Sequence, residues 1–320
     1  MRVVDAAAID RVLAYPDLIA ALADAFRTGV TAPPRHHHTL PKPGGDATLL
    51  LMPAWEDHGG HAGVKIVSVF PGNAARGLAS VLGSYLLLSG DTGEPLAVLD
   101  GRVLTLWRTA AASALAATYL ARPDARRLVM VGAGALGPRL IAAHAAVRPI
   151  DSVSVWNRTP AKAEALAAAL DRPGLSAAAT SDLAGAVAAA DIVSVATMSS
   201  DPLVRGEWLR PGTHLDLVGA YTPSMREADD AAVARARIYV DTRAGALKEA
   251  GDIVQPVAAG IISEADIAGD LADLCRGSVA GRRSDDEITL FKSVGAAIED
   301  LAAAVLVYER LMGAGDGRAA

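Results

Sequence analysis

The 320-residue chain has a single cysteine, Cys275, which excludes an internal disulfide framework and a Cys-rich zinc site. Aromatic residues make up only 4%, so the core must be assembled from Ala, Val and Leu. No uncharged stretch reaches the ~18 residues that a membrane-spanning helix needs. Met1 to Asp10 lacks the basic start and following apolar run of a secretory signal. Positive charge is also scarce. Lys and Arg number 30 against 36 Asp and Glu, a formal charge of −6, and the basic residues are scattered, which argues against a nucleic-acid partner. There is no G-x-S-x-G turn with a Ser-His-Asp order. What remains is a 52% hydrophobic composition, too apolar for a largely disordered chain. These bounds describe a soluble cytosolic α/β protein, of two domains if each takes ~150 residues.

The first third reads as a helix followed by strands. Pro16 and Asp17 open an apolar-periodic run through Leu18, Leu22, Ala25 and Phe26, the pattern of an amphipathic helix with proline in its first turn. Pro33, Pro34, Pro41 and Pro43 then predict an irregular loop carrying Arg35 and His36-His37-His38. Strands are expected at Thr48–Met52, Val64–Phe70, Val81–Leu88 and Pro95–Leu99, the last two joined by the turn-rich Ser89-Gly90-Asp91-Thr92-Gly93. Close succession and short turns predict an antiparallel sheet. Val103 to Leu120 reads as one alanine-rich helix. From Leu128 the pattern alternates: strands at Leu128–Val131, Ser152–Trp156, Ile192–Ala196, His214–Val218 and Ile238–Val240, with helices at Pro138–Val147 and Pro160–Leu170. That alternation predicts a parallel sheet flanked by helices. A strand at Asp286–Phe291 and a helix at Val294–Leu311 follow, with a frayed end from Gly313.

Gly132-Ala133-Gly134-Ala135-Leu136-Gly137 follows the strand Leu128–Val131 and opens a helix. In that context G-x-G-x-x-G is a dinucleotide fingerprint. The first glycine allows the tight turn, the second lets a pyrophosphate approach the backbone, and the third lets helix and strand pack closely. The pyrophosphate then sits at a helix N-terminus. The next strand ends in Asn157-Arg158-Thr159, where NAD enzymes usually carry an acid for the ribose 2′-hydroxyl. A guanidinium and two neutral hydrogen-bonding side chains suit a 2′-phosphate instead, so NADP(H) is the expected cofactor, with NAD(H) as the alternative.

Two cations lie on apolar faces. Alternation in Val64–Phe70 puts Lys65 beside Val67 and Val69. Helical spacing puts Arg108 in one stripe with Leu104, Ala112 and Leu115. Each alone could snorkel to solvent. Together, in an acidic protein, they favour an anionic small molecule, and arginine suits a carboxylate. Adjacent histidines in His36-His37-His38 point different ways and have no partner set spaced for a metal, so no metal site is expected. Cys275 has no motif around it and reads as packing.

Leu51-Met52-Pro53-Ala54, Val64-Lys65, Arg76-Gly77-Leu78, Asp91-Thr92-Gly93-Glu94-Pro95-Leu96-Ala97, Leu104-Thr105 with Arg108-Thr109-Ala110-Ala111, the glycine fingerprint and Ile288-Thr289-Leu290-Phe291-Lys292-Ser293-Val294-Gly295 resemble the ornithine cyclodeaminase/μ-crystallin family over nearly the whole chain. The resemblance implies a homodimeric enzyme with a Rossmann NADP(H) domain, residues 122–292, inserted into a discontinuous α+β substrate and dimerisation domain, residues 1–121 plus 293–320. It implies that Arg35, Met52, Lys65, Ser80 and Arg108 meet the substrate. It further implies that Thr109, Gly132, Gly134, Ala135, Leu136, Gly137, Asn157, Arg158, Thr159, Ala196, Thr197, Val218, Gly219 and Ser293 meet the cofactor.

One departure separates activities within the family. Ornithine cyclodeaminases resemble one another in an Asp shortly after the strand ending in Val-Gly; here Tyr221 stands near that place, and a neutral phenol cannot serve as a carboxylate. The pattern is closer to the family's cyclic-imine reductases. These would take Δ1-pyrroline-2-carboxylate to L-proline, or Δ1-piperideine-2-carboxylate to L-pipecolate, with NADPH and with Lys65, or a water it holds, protonating the imine nitrogen. An ornithine cyclodeaminase, an alanine dehydrogenase and a non-catalytic NADPH-binding protein are the competing expectations.

Overall fold

A computed structural model describes residues 1–42, 45–57 and 59–313, with the backbone alone for residue 74. The chain divides into two compact units, residues 1–108 with 296–320, and residues 109–295. The sequence reading placed these cuts at 121/122 and 292/293. The first falls earlier because one continuous helix, rather than a loop, carries the chain across the boundary.

The first unit contains β1 (Arg2–Val4), α1 (Ala6–Val12), α2 (Tyr15–Thr28), β2 (Val30–Thr31), β3 (His36–Leu40), β4 (Ala47–Glu56), β5 (His61–Val69), β6 (Val81–Ser89) and β7 (Pro95–Asp100), the start of α3 (Gly101–Leu120), and at the far end of the chain a terminal helix over Ala297–Gly313. The sheet runs β1-β7-β6-β5-β4-β2, with β3 also on β4. It is antiparallel except for β1, which pairs parallel to β7. Here the expected loop is corrected. His36-His37-His38 form most of β3, in register with Leu51, Leu50 and Leu49. Pro34 and Pro41 flank the strand without interrupting it, and an edge strand needs ladder bonds on one side only. Pro53 of β4 falls between the segments paired with β3 and with β2, where its missing N–H costs no ladder bond. Leu18, Leu22 and Phe26 of α2 and Tyr85 and Leu87 of β6 are buried, and the terminal helix packs on α2 and on β4, β5 and β6.

The second unit follows α3 with β8 (Arg127–Val131), α4 (Gly137–Val147), β9 (Ser152–Trp156), α5 (Pro160–Leu170), β10 (Ser176–Ala179), α6 (Leu183–Ala189), β11 (Ile192–Val195), β12 (His214–Leu217), α7 (Asp230–Arg235), β13 (Arg237–Val240), α8 (Arg243–Glu249), α9 (Gly251–Ala258), β14 (Ile267–Asp270), α10 (Leu271–Arg276) and β15 (Thr289–Lys292); the terminal helix is therefore α11. Its eight-stranded sheet is wholly parallel, in the order β10-β9-β8-β11-β12-β15-β13-β14. The order reverses between β8 and β11, and a doubly wound sheet opens its ligand crevice at such a switch point, outside the strands' carboxyl ends. The strands are short and rich in Val, Ile and Leu because both faces are covered: Val129, Val131, Val193, Val195, Leu215 and Leu217 all lie in one core cluster. Of the expected frayed end, Gly313 closes α11 and residues 314–320 lie outside the described residues, as does Pro43 of the expected loop.

Candidate active site

In the second unit the fingerprint glycines separate by function. Gly132 sits at φ 112, and a Cβ there would lie 2.5 Å from the Ala196 carbonyl. Gly137 is pressed against the Gly132 carbonyl, 2.9 Å from where its Cβ would be. Both are glycine because the protein's own backbone requires it. Gly134 is different: its φ is not positive, and a Cβ would meet nothing within 4 Å. Neither strain nor packing explains it. A bare backbone facing open space at the start of α4 fits the close approach of a pyrophosphate, so the residues fit a dinucleotide.

The neighbouring residues expected at the cofactor sit along the same edge. Ala135 is exposed. Asn157 accepts from the Ala133 N–H at 3.0 Å and donates to the Thr159 carbonyl, tying the end of β9 to the glycine loop. Arg158 is exposed, and Thr159 stands at the N-cap position of α5 without a side-chain capping bond. Ala196 and Thr197 follow β11, and Val218 and Gly219 follow β12. The Ser293 N–H donates to the Leu217 carbonyl at 3.1 Å. Thr109 is the first residue of this unit and is buried.

Beneath this edge lies a polar core that sequence reading missed. Asp216 of β12 is fully buried and accepts from Ser113 (2.9 Å), Ser194 (2.7 Å) and His144 (3.1 Å). Burial pushes its carboxyl up, but the bond and charge of His144 win and hold it below the usual range. His214, buried beside it, is driven down to about 3 by desolvation and stays neutral.

In the first unit the structure brings Lys65 and Arg108 together around two acids of α11. Lys65 is 3% exposed and its Nζ lies 2.6 Å from Asp300. Arg108 Nε donates to the other oxygen of Asp300 at 2.9 Å, and its Nη1 donates to Glu299 at 2.7 Å. Met52 and Tyr85 are the cross-strand neighbours of Lys65 on β4 and β6, and Tyr85 is also fully buried. Burial and then the Arg108 charge lower the Lys65 ammonium to about 8, with Asp300 opposing and Arg35 adding to the fall. The charge of Arg35 therefore reaches this group. Burial, then Asp300, raises the Tyr85 phenol. Ser80 lies in the β5–β6 connection, and among the described residues no hydrogen bond joins its side chain to this group.

Glu299 and Asp300 were missed, although a signal for them existed. Asp300 shares its helical stripe with Ala303, Ala304 and Val307, all fully buried, which is the same reasoning that singled out Arg108. Tyr221 is 42% exposed in the turn after β12. Among the described residues, no group of three or more His, Cys, Asp or Glu is placed to hold a metal, and no helix is long and apolar enough to cross a membrane.

A doubly wound parallel sheet with this glycine loop, on a chain that also buries an ion-paired lysine, defines a nicotinamide-dinucleotide enzyme. Residues 2–315 match the model of the ornithine cyclodeaminase/mu-crystallin family. The chain belongs to that family. It is 44% identical over 312 residues to a Delta(1)-pyrroline-2-carboxylate reductase of Paracoccus denitrificans, covering 94% of this chain and 97% of that one. A solved Delta(1)-pyrroline-2-carboxylate reductase of Thermococcus litoralis, in complex with NADH and L-proline, is similar at 34% identity and TM-score 0.92, with 98% of each chain covered. An archaeal alanine dehydrogenase dimer with bound NAD is similar at 30% identity and TM-score 0.90, covering 98% of this chain and 97% of that one.

Proposed function

We propose that this protein uses NADPH to reduce a cyclic ketimine carboxylate, of the Δ1-pyrroline-2-carboxylate or Δ1-piperideine-2-carboxylate kind, to the cyclic amino acid. The observation that carries this reading is Lys65. It is buried, ion-paired, and lowered to about 8, so near neutral pH it holds a proton it can release. When bound, the dinucleotide supplies hydride. The chain's own residues do the rest. Lys65 protonates the imine nitrogen, because an iminium accepts hydride far better than a neutral imine. Asp300 holds the Lys65 ammonium in place and opposes its loss of charge. Arg108 is oriented by Glu299 and Asp300 on one side. Arg35, whose charge reaches Lys65, and Arg108 suit the substrate carboxylate as guanidinium partners. Burial around Lys65 excludes the water that would hydrolyse the imine.

The absence of a carboxylate near Arg158 supports NADPH, and Tyr221 in place of an Asp argues against ammonia-eliminating cyclisation of ornithine. The names of the Paracoccus and Thermococcus relatives agree with a reductase. In this reading residues 109–295, which carry the glycine loop, hold the dinucleotide, and the remainder, which carries Lys65 and Arg108, holds the substrate carboxylate. We further propose a homodimer. On the sheet face opposite Lys65, Ile66 and Leu82 are exposed and Val64 and Leu86 half-buried, an apolar face that a second copy would cover.

The deciding experiment follows NADPH oxidation with Δ1-pyrroline-2-carboxylate, with NADH and with pyruvate plus ammonia in parallel. Rapid oxidation with the cyclic imine and NADPH alone is the expected result. Turnover only with pyruvate and ammonia would reassign the protein to alanine formation. Tight NADPH binding without turnover of any substrate would make it a binding protein.

A further inference from the structure

A second buried lysine takes no part in the chemistry above. Lys292 at the end of β15, Glu227 before α7 and Asp252 in the first turn of α9 are each fully buried. Burying three ionisable groups is costly even when they pair, and strand pairing requires none of them. Their bonds run to backbone at the carboxyl edge of the sheet. One oxygen of Glu227 accepts both the N–H (2.6 Å) and the hydroxyl (2.8 Å) of Thr197, just past β11. Lys292 donates to the Gly219 carbonyl, just past β12, and pairs with Asp252 at 3.1 Å. Asp252 in turn accepts the N–H groups of Glu227 (2.8 Å) and Ala228 (3.0 Å).

The place these bonds converge on is strained and tightly filled. A Cβ on Gly219 would collide with the Thr197 carbonyl and the Glu227 carboxyl, and Ala220 beside it takes φ 49, unusual for a residue with a side chain. A Rossmann sheet binds its dinucleotide across the switch point, with the adenosine ribose at the end of the second strand. That strand is β9 here, so the other mononucleotide falls on the side of β11 and β12. We infer that the Glu227–Lys292–Asp252 cluster is the positioning element for the nicotinamide half of the cofactor, holding the Thr197 and Gly219 backbone in the shape that half requires. This rests on the dinucleotide reading. The electrostatics agree with a holding role. Burial raises Glu227 to about 8, the Lys292 charge opposing and the Asp252 charge adding. Glu227 then keeps accepting from Thr197 while Lys292 and Asp252 neutralise each other.

The test compares two ligands on the full-length protein by calorimetry: NADPH, and 2′-phospho-ADP-ribose, which lacks only the nicotinamide. Glu227→Ala should weaken NADPH about tenfold while 2′-phospho-ADP-ribose stays within about twofold, and Glu227→Gln, which keeps an acceptor for Thr197, should restore NADPH to within about threefold. Thr197→Val removes the hydroxyl's bond to Glu227, with the long one it accepts from the Ser199 N–H (3.4 Å), without emptying the core, so it carries the same contrast, about threefold on NADPH alone, if Glu227→Ala does not fold. Equal weakening of both ligands, or of neither, overturns the cluster's role. If the wild-type protein binds neither, the same comparison is run with NADH and ADP-ribose; binding of none of the four overturns the dinucleotide reading itself, and this inference with it.

Discussion

Each unit buries a lysine against carboxylates, and the two behave differently. Around Lys65 the neighbours include two more cations, Arg108 and Arg35, and the group that gives way is the amine, lowered to about 8. Around Lys292 the neighbours are two acids, and the group that gives way is a carboxyl, Glu227, raised to about 8. A crowded amine becomes a proton donor near neutral pH. A crowded carboxyl remains an acceptor for the amide and hydroxyl it already holds. The same residue type, buried in both places, is itself lowered beside cations and has a raised carboxyl neighbour beside acids, which is why we propose chemistry for the first and shape for the second.

The largest expected effect breaks that comparison on the Lys65 side. Lys65→Ala should lower kcat by about 10²–10⁴-fold with substrate saturating, the range for a lost general acid; unchanged kinetics would remove Lys65 from the reaction. The glycines give the next contrast. Gly132→Ala forces a side chain into φ 112 against the Ala196 carbonyl and should cost about 2–3 kcal/mol of stability, read as a lower Tm. Gly134→Ala meets open space and should leave Tm alone while weakening NADPH about tenfold. Equal Tm losses would mean that Gly134 answers to packing after all.

Asp300→Asn sharpens the electrostatic half of the argument. A rate that needs protonated Lys65 falls as pH rises through about 8. Asp300 raises the Lys65 value against burial and Arg108, so its neutralisation should move that falling limb to lower pH. A limb that stays, or moves upward, contradicts the assignment of the proton to Lys65. The smallest effect concerns cofactor choice. Arg158→Ala should raise the KM for NADPH by about tenfold and hardly touch NADH; parallel changes would mean that Arg158 does not read the 2′-phosphate.

Wherever the fold's signal is periodic or contiguous, the sequence alone determined it. Alternation over Val64–Phe70 placed Lys65 on a buried face, helical spacing placed Arg108 in an apolar stripe, and a strand–glycine–helix run located the turn between β8 and α4. These are short-range patterns, set by backbone geometry within a few residues. The edge strand of His36-His37-His38 was not legible, because its bonds come from β4 rather than from its own residues. Tertiary structure alone decided what neutralises the cations. Arg108 meets Asp300 and Glu299 across 192 and 191 residues of chain. Lys292 meets Asp252 and Glu227 only because the end of β15, the first turn of α9 and the segment before α7 converge at one edge of a parallel sheet. Whether a buried charge becomes a proton donor or a fixed support depends on such partners, since electrostatic energy follows distance in space and desolvation, neither of which a linear chain records.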